Sequence, residues 1–198
     1  IGLGSMGYGI ASSLLRAGHQ VHGADVNANA VKRLQSDGGE TVSTATATPD
    51  LDALVVVVLN AAQADEVLFG KEGLAERLSV GAVVILCVTV APDFARNIDK
   101  RCAALGLKFL DAPISGGSVK AAQGKLSVMA SGTPSAFEKA RPALDAMAET
   151  VFELGDSAGA GSAMKAVNQM LAGVHIAAMA EAMTFGMTQG VTPDAFMK

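Results

Sequence analysis

The chain begins IGLGSMG at residues 1–7, and this stretch decides the fold. Gly2, Gly4 and Gly7 have the spacing GxGxxG, which occupies the turn between a strand and a helix in dinucleotide-binding folds. The first glycine permits a tight turn, the second lets the backbone approach a pyrophosphate, and the third lets the helix pack closely. The helix N-terminus adds partial positive charge that favours a phosphate. We therefore predict a dinucleotide site at this turn, with contacts from Gly2, Leu3, Gly4, Ser5, Met6 and Gly7.

An acidic residue at the end of the next predicted strand strengthens this interpretation. Asp25 can accept hydrogen bonds from both ribose hydroxyls and repel a 2′-phosphate, and no arginine follows it directly. NAD is therefore predicted as the cofactor in preference to NADP, with Val26 as a further contact. Two alternatives stay open at this point: a glycine-rich turn with a capping aspartate, and a methyltransferase loop that binds an adenosyl cofactor.

Short apolar runs alternate with amphipathic helical patterns, which is typical of βαβ units and a parallel sheet. The runs ALVVVVL at 53–59 and AVVILCV at 82–88 are continuously apolar, as strands covered on both faces should be. The fold class predicted is α/β, with a Rossmann-type, doubly wound and mostly parallel sheet. Further strands are predicted at 21–25, 108–112, 126–130 and 150–154, helices at 7–17, 29–37, 92–105 and 134–147, and a loop or helix entry at the threonine-rich stretch 44–48.

The last predicted helix differs from the others. Residues 162–189 contain no proline and are rich in Ala and Met, so they predict a helix far longer than the usual ~11 residues. We expect it to begin an all-α second domain, giving an NAD-binding domain at 1–157 and an incomplete helical domain at 158–198. Its uncovered apolar surface predicts partner helices or a homo-oligomer formed through the helical domain. Only Ile1 precedes the glycine motif, so most of the first strand is missing. A helix start is predicted at Thr192, about one turn before the last residue, Lys198. We therefore expect a fragment at both ends.

A second motif, DAPISGG at 111–117, directly follows a predicted strand. Ser115, Gly116 and Gly117 offer a hydroxyl and backbone N–H groups at the carboxyl end of a strand, where ligands of open α/β sheets bind. Such a turn suits a carboxylate. An ordinary glycine-rich turn explains the same residues equally well.

A third motif, GAGSAMKAVNQ at 159–169, places Lys165 near the start of the long helix. Its apolar neighbours would desolvate the ammonium and lower its pKa toward the range of a general acid/base. Asn168 and Gln169 lie within about one turn of Lys165, so all three can face one cleft. A solvated helix lysine is the alternative. His175 lies off this stripe and is interpreted as a core or surface histidine.

The composition excludes several classes of protein. The 198 residues include 15 Lys+Arg and 19 Asp+Glu, for a net charge of −4 without runs of like charge, so no nucleic-acid partner is expected. No membrane span is predicted, because the apolar runs have strand length or contain polar residues. Cys87 and Cys102 are expected to be buried thiols in a reducing compartment, which favours a cytoplasmic location. No metal site is assigned.

The three motifs together, in this order, resemble the β-hydroxyacid dehydrogenase family, and the resemblance covers the whole chain. IGLGSMG resembles the family's cofactor motif, DAPISGG its substrate motif, and GAGSAMK its catalytic motif. The joint occurrence of three ordered motifs is specific, unlike any one of them. A closer resemblance, to the branch that oxidises L-threonate, rests on the stretches 23–30, 57–70, 115–132 and 168–183.

The resemblance implies an NAD-dependent oxidation of a small hydroxy acid, with L-threonate going to a 2-oxo acid. It gives Lys165 the role of the catalytic lysine, with Asn168 or Gln169 orienting the substrate hydroxyl. The substrate carboxylate would be held by Ser115, Gly116 and Gly117, and the nicotinamide side would be lined by Leu59, Asn60 and Thr89.

Several positions depart from the family pattern and keep alternatives open. Gln169 stands where many members have Asn, Asn60 replaces a common Pro, and Val88 stands where Ser is usual. The substrate could instead be 3-hydroxyisobutyrate or tartronate semialdehyde, or the protein could be a non-catalytic NAD-binding homologue. Lys120 is interpreted as a solvated lysine, with a substrate contact as the alternative.

Overall fold

The computed structural model describes residues 1–41 and 50–197, so the predicted loop at 44–48 lies outside the described residues. Helices and strands alternate along most of the chain, as the apolar pattern predicts. In chain order they are α1 (Ser5–Arg16), β1 (His22–Gly23), α2 (Ala28–Ser36), β2 (Glu40–Thr41), β3 (Ala53–Val56), α3 (Ala61–Phe69), β4 (Val83–Leu86), α4 (Pro92–Ala104), β5 (Lys108–Asp111), β6 (Ile114–Ser115), α5 (Gly117–Gln123), β7 (Leu126–Ala130), α6 (Pro134–Met147), β8 (Ala148–Glu153) and α7 (Ala160–Thr188).

The strand order is that of a dinucleotide-binding sheet. Strand β1 pairs with β2, and β3, β4 and β5 pair in that order, all in parallel. Residues 1 and 2 lie between the two groups: the nitrogen of Ile1 donates to Val55 O at 2.7 Å, and that of Gly2 donates to Ala24 O at 2.9 Å. With residues 1–2 as the first strand, the order reverses between them and β3. Ligands of open α/β sheets bind at such a reversal.

A second group of strands continues the sheet beyond β5. Strand β6 pairs antiparallel with β7, and β7 pairs in parallel with β8. An antiparallel bridge between Asp111 and Ser131 joins β5 to the end of β7. The predicted α/β class with a doubly wound, mostly parallel sheet is confirmed.

The hydrophobic core lies on both faces of the central sheet. All four residues of β4 are buried, and they alternate: Val83 and Ile85 pack with α1, α5 and α6, whereas Val84 and Leu86 pack with α3 and α4. A strand covered on both faces must be apolar at every position. This explains the continuous run at 82–88.

Some element predictions were wrong in extent. Strand β3 ends at Val56 instead of residue 59, because the chain leaves the ladder and Asn60 caps α3, a helix that was not predicted. Helix α5 was also missed, although Gly124, in the left-handed region at φ 71°, marks its end. The helix expected after Thr192 is a 3-10 helix, Pro193–Met197, within the described residues. The long helix begins at Ala160, two residues earlier than expected.

Helix α7 projects from the rest of the chain. Of its 29 residues only Gly161, Ser162 and Lys165 are buried, all near its start. Among the described residues it is the one helix long and apolar enough to cross a membrane, and none of its most apolar stretch is buried. Length and composition alone do not distinguish a membrane span from a helix covered by other protein. The expectation of no span stays a prediction.

Candidate functional site

The glycine turn has the geometry that the GxGxxG spacing predicts. Gly2 has φ 85°, and a Cβ on it would lie 2.3 Å from Val57 O. A Cβ on Gly7 would lie 1.8 Å from Gly2 O, whereas a Cβ on Gly4 would meet no atom within 4 Å. Gly2 and Gly7 are therefore required by the protein itself. Gly4 instead faces open space through which a ligand could approach the backbone.

The N-terminus of α1 lies at this open position. Its N-cap is Gly4, which has no side chain to cap the helix. The first N–H groups of an α-helix have no partner within the helix, and together with the helix dipole they favour an anion. Ser5, Met6 and Gly7 supply those groups, so the turn fits the pyrophosphate of a dinucleotide.

Asp25 is hydrogen-bonded to the glycine turn. Its Oδ2 accepts from the N–H of Leu3 at 2.6 Å, and its Oδ1 accepts from the N–H of Asn27 at 2.7 Å. Each carboxylate oxygen can accept a second hydrogen bond, so both still have capacity for ribose hydroxyls. The sequence did not predict the bond to Leu3. Asp25 therefore holds the glycine turn against the end of β1, and its contact with a ribose stays a prediction.

Two large apolar side chains are exposed where β1 and β3 end. Val26 and Leu59 have relative exposures of 106% and 86%. They follow the two strands that flank residues 1–2, at the reversal of strand order. Exposed apolar side chains at such a reversal are typical of a surface that a ligand covers. Their role as cofactor contacts stays a prediction.

Asn60 has a structural role that the sequence analysis missed. Its Oδ1 accepts from the N–H of Gln63 at 2.9 Å, and Gln63 Oε1 accepts from the N–H of Leu59 at 2.9 Å. This exchange resembles a capping box, whose signal is a polar cap followed three residues later by Glu or Gln. The cap fixes the loop after β3. Thr89, predicted for the same side, is exposed beyond the end of β4.

The turn at 115–117 connects β6 to α5. Ser115 is half-buried and pairs with Ser127 of β7, while Gly116 and Gly117 are exposed with φ 133° and 74°. These backbone angles favour glycine, which explains the SGG sequence. The aliphatic stem of Lys120 lies over Gly116. Its ammonium is 3.8 Å from the carboxylate of Glu149, and the side chain is about half exposed (51%), in agreement with a solvated lysine.

Lys165 is buried, with a relative exposure of 7%. Desolvation by this burial lowers its pKa from the ordinary value of 10.5. No carboxylate forms an ion pair with it within residues 1–41 and 50–197, so no neighbouring charge there offsets the desolvation. A buried, unpaired lysine is rare in proteins and is typical of a group that exchanges a proton.

Side chains from two strands hold the start of α7. Asp111, at the end of β5, accepts from the N–H groups of Gly159 at 3.0 Å and Ser162 at 2.8 Å. Ser131, after β7, accepts from the N–H of Gly161 at 2.9 Å. The first turn of α7 is thus capped by the sheet, whereas that of α1 is open. The sequence predicted no role for Asp111 beyond its place in the motif, since a cap so distant along the chain leaves no local signal.

The other predicted residues of α7 are more exposed than Lys165. Asn168 is half-buried, and Gln169 and His175 are exposed. Asn168 and Gln169 follow Lys165 by about one helical turn, so they lie beside it on the helix surface. The structure therefore identifies His175 as a surface histidine over the described part of α7.

A cavity of about 590 Å³ opens between β1 and β3. It is lined toward the amino ends of these strands by residues such as Gln20 and Asp52, and also by Gly2, Leu3 and Gly7 of the glycine turn. The glycine turn and Lys165 lie toward the carboxyl ends of the parallel strands, where ligands of this architecture bind. We therefore place the site by its residues and not by cavity size.

Both cysteines are buried free thiols, as predicted. Burial raises the pKa of the Cys87 thiol and that of the Cys102 thiol to about 12 each. Thiols that stay protonated near neutral pH are poor nucleophiles. Among the described residues no group of three or more His, Cys, Asp or Glu side chains could hold a metal ion.

The reversed strand order and the open glycine turn at that reversal define a dinucleotide-binding protein of the Rossmann class. Residues 1–155 match the family model described as the NAD binding domain of 6-phosphogluconate dehydrogenase. Residues 159–198 match the model described as the NAD-binding of NADP-dependent 3-hydroxyisobutyrate dehydrogenase. The chain belongs to the 3-hydroxyisobutyrate dehydrogenase-like, or β-hydroxyacid dehydrogenase, family, which confirms the resemblance and an NAD(P)-type cofactor.

The chain is similar to several named relatives. An L-threonate dehydrogenase of Escherichia coli is 47% identical over 98% of this chain and 65% of its own length, and one of Cupriavidus necator is 46% identical over 98% and 66%. The crystal structure of a 3-hydroxyisobutyrate dehydrogenase from Salmonella typhimurium superposes with a TM-score of 0.90 at 46% identity, over 98% of this chain and 68% of that one. The chain thus spans about 65% of the length of the curated relatives it matches.

Proposed function

We propose that this chain belongs to an NAD-dependent dehydrogenase that oxidises the hydroxyl of a small polyhydroxy acid. The observation that carries the proposal is Lys165, a buried lysine without an ion-pair partner in the described chain. It lies on a helix whose start is hydrogen-bonded to the carboxyl end of β5. The carboxyl ends of the parallel strands share one sheet edge, so Lys165 and the glycine turn lie toward the same edge.

In the proposed reaction Lys165 accepts the proton of the substrate hydroxyl. A nicotinamide cofactor held at the glycine turn, residues 2–7, would supply the hydride acceptor for the carbon that carries this hydroxyl, and the C–OH group would become a carbonyl. Lys165 ends as the ammonium and returns the proton to solvent. Ser115 and the backbone of Gly116 and Gly117 would hold the substrate carboxylate, and the side-chain amide of Asn168 or Gln169 would orient the hydroxyl.

The burial of Lys165 supports this assignment of roles. A lysine accepts a proton only as the neutral amine, and desolvation increases the neutral fraction at a given pH by lowering the pKa. Oxidation should therefore speed up as the pH rises through the lowered pKa. The reverse reaction, in which the ammonium donates the proton, should slow down over the same range.

L-threonate, oxidised at C2 to a 2-oxo acid, is the substrate we propose. Support comes from relatives of 46–47% identity that are named L-threonate dehydrogenases. The Salmonella typhimurium protein of known structure, which is 46% identical to this chain, is named a 3-hydroxyisobutyrate dehydrogenase. Sequence identity alone therefore does not distinguish these two substrates. Tartronate semialdehyde remains a further candidate, since a 2-hydroxy-3-oxopropionate reductase of Escherichia coli is 33% identical.

NAD is the proposed cofactor in preference to NADP, because the Asp25 carboxylate lies at the end of β1 and would repel a 2′-phosphate. The methyltransferase alternative is set aside, since residues 1–155 match an NAD-binding family. A cytoplasmic location and a homo-oligomer formed through the helical domain are also proposals. Exposed apolar residues along α7, among them Met170, Val174 and Phe185, support an association through that helix. We propose a domain boundary between residues 157 and 158.

A panel of hydroxy acids with NAD and NADP tests the proposal. The full-length enzyme is mixed with L-threonate, 3-hydroxyisobutyrate, L-serine or glycerate, the alcohol that is oxidised to tartronate semialdehyde, and the absorbance of the reduced cofactor is followed. We expect the highest kcat/KM with L-threonate and NAD. A higher kcat/KM with another acid would show that this acid, and not L-threonate, is the preferred substrate. Binding of NAD without turnover of any acid would indicate a non-catalytic homologue.

A further inference from the structure

Asp111 is a fully buried charged side chain to which the proposed reaction assigns no step. Its relative exposure is 0%, and it lies at the end of β5. Oδ2 accepts from the N–H groups of Gly159 and Ser162, and Oδ1 accepts from the hydroxyl of Ser162 at 2.7 Å. The hydroxyl of Ser131 lies 3.4 Å from Oδ2. A buried carboxylate is costly unless it is hydrogen-bonded in this way.

The donors show what this carboxylate is used for. Two are backbone N–H groups at the start of α7, those of the N-cap residue Gly159 and of Ser162 in the first turn, which have no acceptor inside the helix. The N-cap residue is Gly159, whose own side chain cannot cap. A helix can be capped by a local Ser, Thr, Asp or Asn. In α7 the cap comes instead from a residue 48 positions earlier in the chain, so capping also ties the helix to the sheet edge.

Close packing at the same point leaves the helix little freedom to slide. A Cβ on Gly161 would lie 2.4 Å from Met129 O and 2.7 Å from Asp111 O, so the backbone of α7 contacts β5 and β7 directly. Lys165 follows Ser162 by about one helical turn. Because a helix is rigid over so short a distance, the position of its first turn determines where the Lys165 side chain lies.

Asp111 also lies close in sequence to the turn at 115–117, which is proposed to hold the substrate. Asp111 begins the motif 111–117, and its backbone forms the bridge to Ser131. After Asp111, the chain runs through buried Ala112 and Pro113 to β6, which contains Ser115. One side chain therefore connects the helix that bears Lys165 with the strand that leads into the 115–117 turn.

We propose that Asp111 is a positioning residue that sets the placement of Lys165 relative to the substrate turn at 115–117. The proposal rests on the proposed function for the meaning of that placement. Asp111 itself transfers no proton and contacts no substrate. Its contribution is to hold the amine of Lys165 within reach of the hydroxyl of a substrate whose carboxylate is bound at 115–117.

Substitutions in the full-length enzyme test this role. Asp111→Ala should lower kcat by about 10- to 100-fold, as small misplacements of a reacting group do, while the Kd for NAD changes by less than about twofold. Asp111→Asn keeps an acceptor oxygen for the N–H groups, and its amide can donate to the Ser162 hydroxyl, so it should recover most of kcat. An unchanged kcat in Asp111→Ala, or no recovery with Asn, would overturn the proposal.

A milder variant covers the case in which Asp111→Ala does not fold. Ser162→Ala removes the 2.7 Å hydrogen bond to Oδ1 and leaves both backbone N–H bonds in place. We expect a smaller fall in kcat than for Asp111→Ala, with the Kd for NAD unchanged. Parallel losses of NAD binding and melting temperature would instead assign the cluster a purely structural role.

A measurement without turnover separates this proposal from the proposed function. The rate at which an acylating reagent modifies Lys165 is followed by mass spectrometry in the parent, Asp111→Asn and Ser162→Ala proteins. Lys165 should be modified faster in Ser162→Ala than in the parent, with exposed Lys71 as an internal reference. If no hydroxy acid is oxidised but Lys165 is still modified faster in Ser162→Ala, the proposed function is wrong and the positioning role of Asp111 is supported. If Lys165 is modified at equal rates in all three proteins, the positioning fails whatever the turnover.

Discussion

At the scale of single residues, the carboxylate of Asp25 has a structural role and a proposed role in cofactor selection. It is hydrogen-bonded to the N–H groups of Leu3 and Asn27, and it is the group predicted to bind the cofactor ribose. Removing it entirely would release the glycine turn and obscure any effect on cofactor choice. A substitution that keeps an acceptor oxygen is therefore needed to isolate the effect of the charge.

We expect Asp25→Asn to reduce the preference for NAD over NADP by about tenfold, which corresponds to about 1.4 kcal/mol of like-charge repulsion removed. The measurement is the ratio of kcat/KM with the two cofactors. Melting temperature serves as the control for the turn. A parent enzyme that uses NADP as efficiently as NAD would contradict the assignment.

Lys120 illustrates how weakly an exposed ion pair should matter. Its ammonium and the carboxylate of Glu149 are both about half exposed, and such pairs contribute about 0–1 kcal/mol. Lys120→Ala should therefore leave the KM for L-threonate close to that of the parent. The same variant is compared with a hydroxy acid that lacks the additional hydroxyls. A rise in KM for L-threonate alone would show that Lys120 contacts the substrate.

At the scale of elements, α7 is held by its first turn and exposed over most of its length. A Cβ on Gly161 would collide with Met129 O, whereas a Cβ on Gly173 in the same helix would meet nothing within 4 Å. The two glycines therefore form a matched pair. Gly161 allows close packing against the sheet, whereas Gly173 can be replaced by a larger residue.

Gly161→Ala should lower the free energy of unfolding by about 1–3 kcal/mol, the usual cost of forcing atoms into a packed site. Gly173→Ala should leave the free energy unchanged or raise it by up to about 1 kcal/mol, because alanine favours the helix. Urea unfolding followed by circular dichroism measures both. Equal destabilisation by the two substitutions would show that the contact at Gly161 is not specific.

The sequence predicted those elements whose signals are local. Strand β7 and helix α6 were predicted at their observed bounds, since β7 is a short, mostly apolar stretch that begins two residues after Gly124 and α6 has Pro134 in its first turn after the capping Thr133. Helix α3 was missed because the apolar run before it extended the predicted strand to residue 59, and Asn60 was not interpreted as a helix cap. The capping by Asp111 joins residues far apart in the chain, and no periodicity reveals such a contact.

At the scale of the whole molecule, the glycine-rich starts of α1 and α7 have opposite properties. The start of α1 at Gly4 has no side-chain cap and faces open space. The start of α7 is filled by Asp111 and Ser131. The free N–H groups at the start of α1 therefore form a candidate anion site, whereas the hydrogen-bonded N–H groups at the start of α7 fix the position of the helix that bears Lys165. These properties agree with the proposal that the cofactor binds at the start of α1 and that Lys165, near the start of α7, transfers the proton.

The most direct test is the comparison of Lys165→Ala and Lys165→Arg in the full-length enzyme. General acid/base groups contribute about 10²- to 10⁴-fold, so Lys165→Ala should lower kcat by at least about 10²-fold while the Kd for NAD stays close to that of the parent. Lys165→Arg keeps the positive charge but cannot release a proton near neutral pH, so it should not restore the rate.

The pH profile of oxidation completes the same measurement. In the parent, kcat/KM should rise with pH and level off below the ordinary lysine pKa of 10.5, because burial lowers the pKa of Lys165. Neither variant should show that rise. If Lys165→Arg retains most of the parent rate, Lys165 serves only as a fixed positive charge and another group must accept the proton.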